Sequence, residues 1–326
     1  MRIYLVYFSF LISVNLYSVS TINYDTNQIK KGEYKPWFTG PIIAGSGKTM
    51  QAGHYNIEPY FFIPETNGRY DQNWNKRKTL RSVIFNPSFF FVTGLNSFMD
   101  FQFVANFQSN FSNKQSDTRI SDALVGIGIQ LCNDNRYTAS PDIRLILKED
   151  LALGHYKHLN PSKLGTDSTG NGFYKSGIAL NIQKLFYFNR RLLLARCNVN
   201  YKISTPTQTS GYSVFGGGPG VRGKISPVQF FNLDLAFEYT LSQQIVFAID
   251  WLYEYQTSGR FKGRYNPRSE DSIKPSSPLL HRFSLAPALE YNFSAAFGII
   301  AGCWFTVAGK NCRSFTTGVI AFNYVN

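Results

Sequence analysis

Two glycine-rich stretches carry the letters of phosphate-binding loops. Gly45-Ser46-Gly47-Lys48-Thr49 ends like a P-loop, in which backbone N–H groups cradle phosphates and the lysine reaches over them. That pattern needs a glycine five positions before Gly47, where Ile42 stands, and a helix afterwards, where residues from Gly53 onward alternate like a strand. Gly218-Pro219-Gly220-Val221-Arg222-Gly223 spells GxGxxG, which holds a pyrophosphate only when it opens a helix. It follows Gly216-Gly217 on the way to another strand, so a mobile outer loop is expected. His155 and His158 share a loop, but no carboxylate or cysteine completes a metal-binding set with them. Cys132, Cys197, Cys303 and Cys312 have neither CxxC spacing nor a histidine partner. They read as small apolar fillers, with Cys197 and Cys303 facing lipid and Cys132 and Cys312 at opposite rims. A hydrolase of Ser–His type needs both side chains on one face, and His281 and Ser284 have opposite parity on one strand. No catalytic residue, metal ligand or cofactor is therefore expected.

The charges with regular spacing are more informative. Glu58, Asp100, Arg144, Lys148, Arg196, Lys202, Asp234, Glu238, Asp250, Glu254, Arg282 and Glu290 each stand on the polar parity of a segment whose alternate positions are apolar. In lipid such a charge near mid-bilayer would cost about 2–4 kcal/mol, which turns all twelve toward an aqueous interior. Charges lining a lumen orient permeants and select among them. The basic members cluster in 141–150 and 192–204 and the acidic ones in 230–255, which suggests a transverse field. Pairing of these charges with one another, filling the interior, is the alternative. Tyr60, Phe90 and Trp304 share the inward parity.

These positions need strands to place them. In 121–131, Ala123, Val125, Ile127, Ile129 and Leu131 alternate with Asp122, Gly126, Gly128 and Gln130. The same period of two runs through 230–241 and 245–255, and it puts each set on its own face of a pleated strand. The remaining strands are expected at 53–63, 81–93, 98–108, 141–150, 174–186, 192–204, 280–293, 296–308 and 315–326. Connections alternate between long polar ones (64–80, 109–120, 151–173, 205–229, 257–279) and mostly tight ones. A membrane barrel requires that alternation, with periplasmic turns on one rim and outer loops on the other. The fold class is thus all-β: an antiparallel transmembrane β-barrel of about twelve strands over 53–326.

Composition agrees. The 326 residues include 29 Phe and 20 Tyr, suited to two interfacial aromatic girdles, and mean hydropathy is only −0.18. Met1-Arg2, the apolar run 3–16 and Ser18-Val19-Ser20 read as a signal peptide over 1–20. Residues 21–52 form an N-terminal periplasmic or plug segment, long enough to enter the lumen. The net charge of +13 is scattered through loops, and export excludes nucleic acid as a partner.

Lys35-Pro36-Trp37-Phe38-Thr39-Gly40-Pro41-Ile42-Ile43-Ala44, followed by Gly53-His54-Tyr55-Asn56-Ile57-Glu58-Pro59-Tyr60-Phe61, resembles the start of the MetA-pathway of phenol degradation-like outer-membrane proteins. Asn160-Pro161-Ser162-Lys163-Leu164-Gly165-Thr166-Asp167 and Gly170-Asn171-Gly172 add a supporting likeness. The resemblance implies an outer-membrane barrel for passage of small, aromatic or apolar compounds, and it implies no catalytic residues. The expected function is a passive outer-membrane channel. The alternatives are a barrel that anchors adhesin-like loops, or an outer-membrane lipid hydrolase. Expected partners are outer-membrane lipid, a small-molecule permeant and the barrel insertion machinery. The C-terminus keeps the usual apolar parity in Ile320, Phe322 and Tyr324 but ends on Asn326.

Overall fold

The computed structural model describes residues 32–265 and 273–326. The expected signal peptide and residues 21–31 lie outside the described residues. In chain order the strands are β1 (Tyr55–Tyr70), β2 (Lys76–Arg77), β3 (Ser82–Gly94), β4 (Met99–Ser112), β5 (Gln115–Ile120), β6 (Ala123–Cys132), β7 (Asp142–Leu151), β8 (Lys175–Phe188), β9 (Arg191–Ser204), β10 (Thr207–Ser213), β11 (Gly216–Ile225), β12 (Gln229–Thr240), β13 (Ile245–Gln256), β14 (Phe261–Arg264), β15 (Leu280–Asn292), β16 (Phe297–Lys310) and β17 (Arg313–Val325).

Twelve of them pair antiparallel around a ring, β1-β3-β4-β6-β7-β8-β9-β12-β13-β15-β16-β17, and β17 closes it onto β1 from Asn56↔Val325 to Arg69↔Arg313. Closure leaves the ring without a free edge, which lipid demands because it offers nothing to bond an open strand. Burial alternates as the sequence pattern requires. In β7, Asp142, Arg144, Ile146, Lys148 and Asp150 are buried, while Leu147 between them is exposed on the outer face. Phe61, Ile63, Phe89, Ile178, Trp251, Leu289 and Ile320 are likewise exposed, a greasy exterior suited to acyl chains. Aromatic clusters mark both ends of the outer wall. Tyr291, Phe293 and Phe297 stack near the short turns, and Trp74, Tyr253, His281 and Phe283 near the long loops.

The expected loops are more structured than their composition implies. β1 continues seven residues past Ile63, to Tyr70, and β4 and β5 form a hairpin where 109–120 reads as a loop. The GxGxxG residues lie in β11, paired with β10 and β14, and so are strand rather than mobile loop. β11 and β14 keep the register of the wall beneath them: eighteen residues separate Thr240 from Arg222, and eighteen separate their partners Val246 and Arg264. Ladder pairing inherited from the barrel overrides the low strand propensity of Gly216–Gly217–Gly218.

Candidate functional site

All twelve charged positions singled out above are buried, and all lie on the parity that faces the barrel interior. They do not form two opposed charged arcs. Neighbours pair instead: Arg144 Nη2 lies 2.5 Å from Asp100 Oδ1, and Arg196 Nε lies 2.7 Å from Glu238 Oε2. Lys202 Nζ meets Asp150 at 2.6 Å, with Lys175 Nζ on the other carboxylate oxygen at 3.2 Å. Arg282 forks onto both oxygens of Glu254, with Nη2 at 2.7 Å from Oε1. Lys148 donates to Asn200 Oδ1 at 2.8 Å, and Glu58 accepts from Asn56 and Asn323. Local pairing wins over a transverse field because unlike charges on adjacent or next-but-one strands come within bonding distance, where their attraction far exceeds any long-range term.

What divides the interior is polarity. On one side β15, β16, β17, β1 and β3 present Ala286, Ala288, Ile300, Trp304, Phe315, Val319, Ala321, Tyr60, Phe62 and Phe90 as one apolar cluster. Tyr60 and Phe62 stack with ring centroids 5.4 Å apart, and Trp304 meets Phe315 edge-on at 4.9 Å. The indole Nε1 of Trp304 donates to Ser284 Oγ at 2.9 Å, so its one polar atom is satisfied. Facing this wall across the ring, β7, β8, β9 and β12 carry Arg144, Lys148, Asn181, Gln183, Arg196, Asn198, Asn200, Lys202, Asp234 and Glu238.

Residues 36–50 run between the two walls. Asp250 accepts three successive backbone N–H groups, from Ile42 (3.0 Å), Ile43 (3.3 Å) and Ala44 (2.9 Å). Consecutive amides curled around one carboxylate make a nest, an anion cradle built from backbone alone. Glu290 accepts from Thr39 N, Asp100 from Met50 N, Gln183 from Gly47 N and Gln130 from Thr49 N. In the other direction Arg196, Asn198 and Asn181 donate to the carbonyls of Ala44, Gly45 and Ser46. Ile42 and Ile43 join the apolar cluster. Glycines on the wall make room: a Cβ on Gly298 would collide with Thr39 Oγ1, and one on Gly302 would press on Ile42 Cδ1. The near-P-loop residues thus lie against β8 and β9, with their backbone groups bonded to amide side chains.

At the rim with long loops, Leu159, Phe173, Val214, Phe215, Ile225 and Val228 pack together, with inward-facing Phe230 against them. Residues 166–173 are buried, and Asn110 of β4 donates to the carbonyls of Thr166 and Ser168. The connections 151–173 and 205–228 therefore fold inward over the mouth. His155 and His158 go separate ways, His155 Nδ1 to the Asp167 carbonyl and His158 Nε2 to Ser210 Oγ. His281 stacks outside among Tyr253, Tyr255 and Trp74, while Ser284 points inward, as their parity requires. The sequence reading missed the uncharged members, Gln130, Asn181, Gln183 and Asn198. Their inward parity was the available signal.

No protein-family model matches the sequence, and no curated protein matches it. Among solved structures, the COG4313 outer membrane channel from Pseudomonas putida F1 superposes with a TM-score of 0.64 at 11% identity, covering 86% of this chain and 98% of that one. The fold is that of an outer-membrane channel barrel. A NanC porin (TM-score 0.46, 10% identity, 82% of this chain and 98% of that one) matches more loosely. A TodX monoaromatic hydrocarbon channel (TM-score 0.31, 10% identity, 84% and 89%) does so too, and neither match is tight enough to carry an argument.

Proposed function

We propose that the chain is an outer-membrane channel that passes small molecules with apolar or aromatic bodies, and that residues 33–52 act as a plug across its lumen. The observation that carries this reading is the two-sided interior, an aromatic wall facing a polar one with a single extended segment between them. A barrel serving only as an anchor needs no such interior, and loops built to grip a partner would project rather than pack over their own mouth. The likeness of residues 35–61 to the MetA-pathway-like barrels supports the same reading, as does an exterior suited to lipid. The inward charges are then wall supports and handles for the plug as well as permeation residues. During biogenesis the insertion machinery reads β17, with Tyr324 supplying the outward aromatic near the end.

The test is liposome swelling with neutral aromatic solutes, alongside planar-bilayer conductance. Both would be run on the mature protein and on a form lacking residues 33–50. Flux that rises several-fold on truncation supports a plugged channel. A truncated barrel that folds yet passes neither ions nor solutes rules the channel out.

A further inference from the structure

Within the polar wall one row of side chains leaves only acceptor atoms open. Asn181, Asn198 and Asp234 are direct cross-strand partners on β8, β9 and β12, at one level and on the inward face. They are 0%, 2% and 4% exposed. The Nδ2 atoms of the two asparagines donate to the carbonyls of Ser46 (3.1 Å) and Gly45 (3.0 Å), which fixes which atom of each amide is oxygen. The remaining atoms of the row are acceptors only: Asn181 Oδ1, Asn198 Oδ1 and both carboxylate oxygens of Asp234. None of the four accepts a hydrogen bond from the protein.

The contrast with nearby acids is sharp. Asp250 is wrapped by three amides and Glu254 is gripped by Arg282, both on β13, whereas Asp234, on β12 at the level between them, has no such partner. Buried acceptors are ordinarily satisfied, and a row of them calls for a donor from outside the chain. Directly opposed residues place their Cβ atoms about 5 Å apart, so one small donor group can bridge Asp234 and Asn198 while Asn181 offers the next acceptor. Charge selects a cation, and acceptor-only chemistry selects one that carries several N–H groups. A primary ammonium has three.

We propose that Asn181, Asn198 and Asp234 form a station for the primary ammonium group of an amphiphilic permeant. The station rests on the channel reading for its role, but not for its existence as a binding site.

Two measurements separate the two. Binding of phenethylammonium, 2-phenylethanol and potassium ion to the purified full-length protein is followed by calorimetry, for the parent and for Asp234→Asn, which keeps the shape and removes the charge. The expected result is that phenethylammonium binds at least tenfold tighter than the alcohol, and that D234N abolishes the preference. Equal binding of amine and alcohol, a preference unchanged in D234N, or equally tight binding of potassium would each overturn the ammonium assignment. Liposome flux of the same solutes through the form lacking residues 33–50 then tests the path. Amine binding without any flux leaves the station standing and removes the channel. Flux with no dependence on Asp234 does the reverse.

Discussion

Replacing Asp250 by alanine removes the acceptor for three successive backbone amides and touches nothing on the exterior. Two of the three contacts, at 3.0 and 2.9 Å, are of full strength, and the third, at 3.3 Å, is weaker. A hydrogen bond to a charged group is worth about 1.5–3 kcal/mol net, so the two strong contacts together hold the crest of the segment by about 3–6 kcal/mol. Taking the lower figure, local release becomes easier by roughly a hundredfold, at ~1.4 kcal/mol per decade. The grips at Glu290–Thr39, Gln183–Gly47 and Asp100–Met50 remain, so release is confined to the crest. Hydrogen exchange followed by mass spectrometry reads this directly. Amides 42–44 should exchange about a hundredfold faster in Asp250→Ala at 25 °C, while Gly47 and Met50 keep their protection. Asp250→Asn, which retains one acceptor oxygen, should fall between. Unchanged exchange at 42–44 in Asp250→Ala would refute the argument that this carboxylate holds the segment. Loss of protection across all of 36–50 would refute the independence of the grips.

Other consequences can be checked alongside. Gly298→Val places a side chain where Thr39 Oγ1 and Asn292 Oδ1 now sit, so it should displace the start of the segment and raise bilayer conductance without unfolding the barrel. Arg282→Leu strands the buried Glu254 and should cost about 3–5 kcal/mol, seen as a lower unfolding temperature in detergent. The double change Arg282→Leu with Glu254→Leu should recover most of that loss. Burial pushes the thiol of Cys312, in the turn between β16 and β17, up to about 11. A raised thiol favours the fold fully below its unfolded value near 8.5 and loses that contribution as pH climbs through about 11. At pH 8 a maleimide should therefore modify half-buried Cys132 and spare Cys312, and equal labelling of both would contradict the burial.

Strand parity was legible in the sequence because a period of two is dictated by the pleat, and a membrane punishes every exception. That is why Glu58 and Glu290, far apart in the chain, could both be turned inward on pattern alone. Partnership was not legible. Arg144 and Asp100 sit on strands separated by β6, and they meet because Gly128 between them has no side chain: a Cβ there would collide with both. The inward glycine was visible in the sequence, but its meaning as a window depended on ring order. The grip on residues 36–50 was hidden for another reason. Half of it comes from Asn and Gln, whose value lies in where a backbone runs, and single-residue chemistry says nothing of that. The rim strands β10, β11 and β14 were masked by glycine and proline, whose local preference gave way to a register propagated from below.

Residues 33–52 leave the lumen by the rim through which they came. Arg136 and Glu33 pair beside one short turn, Tyr34 N bonds Arg190 O at a second, and Ala52 bridges Gly94 at a third. An excursion of this kind threads nothing. The wall can close from β17 onto β1 first and receive the segment afterwards, and the segment can withdraw and return without a strand pair breaking. On the proposed plugged-channel reading, barrel assembly and occlusion are thereby separable events, so such a barrel need never pass through a state that is both newly inserted and obliged to be sealed.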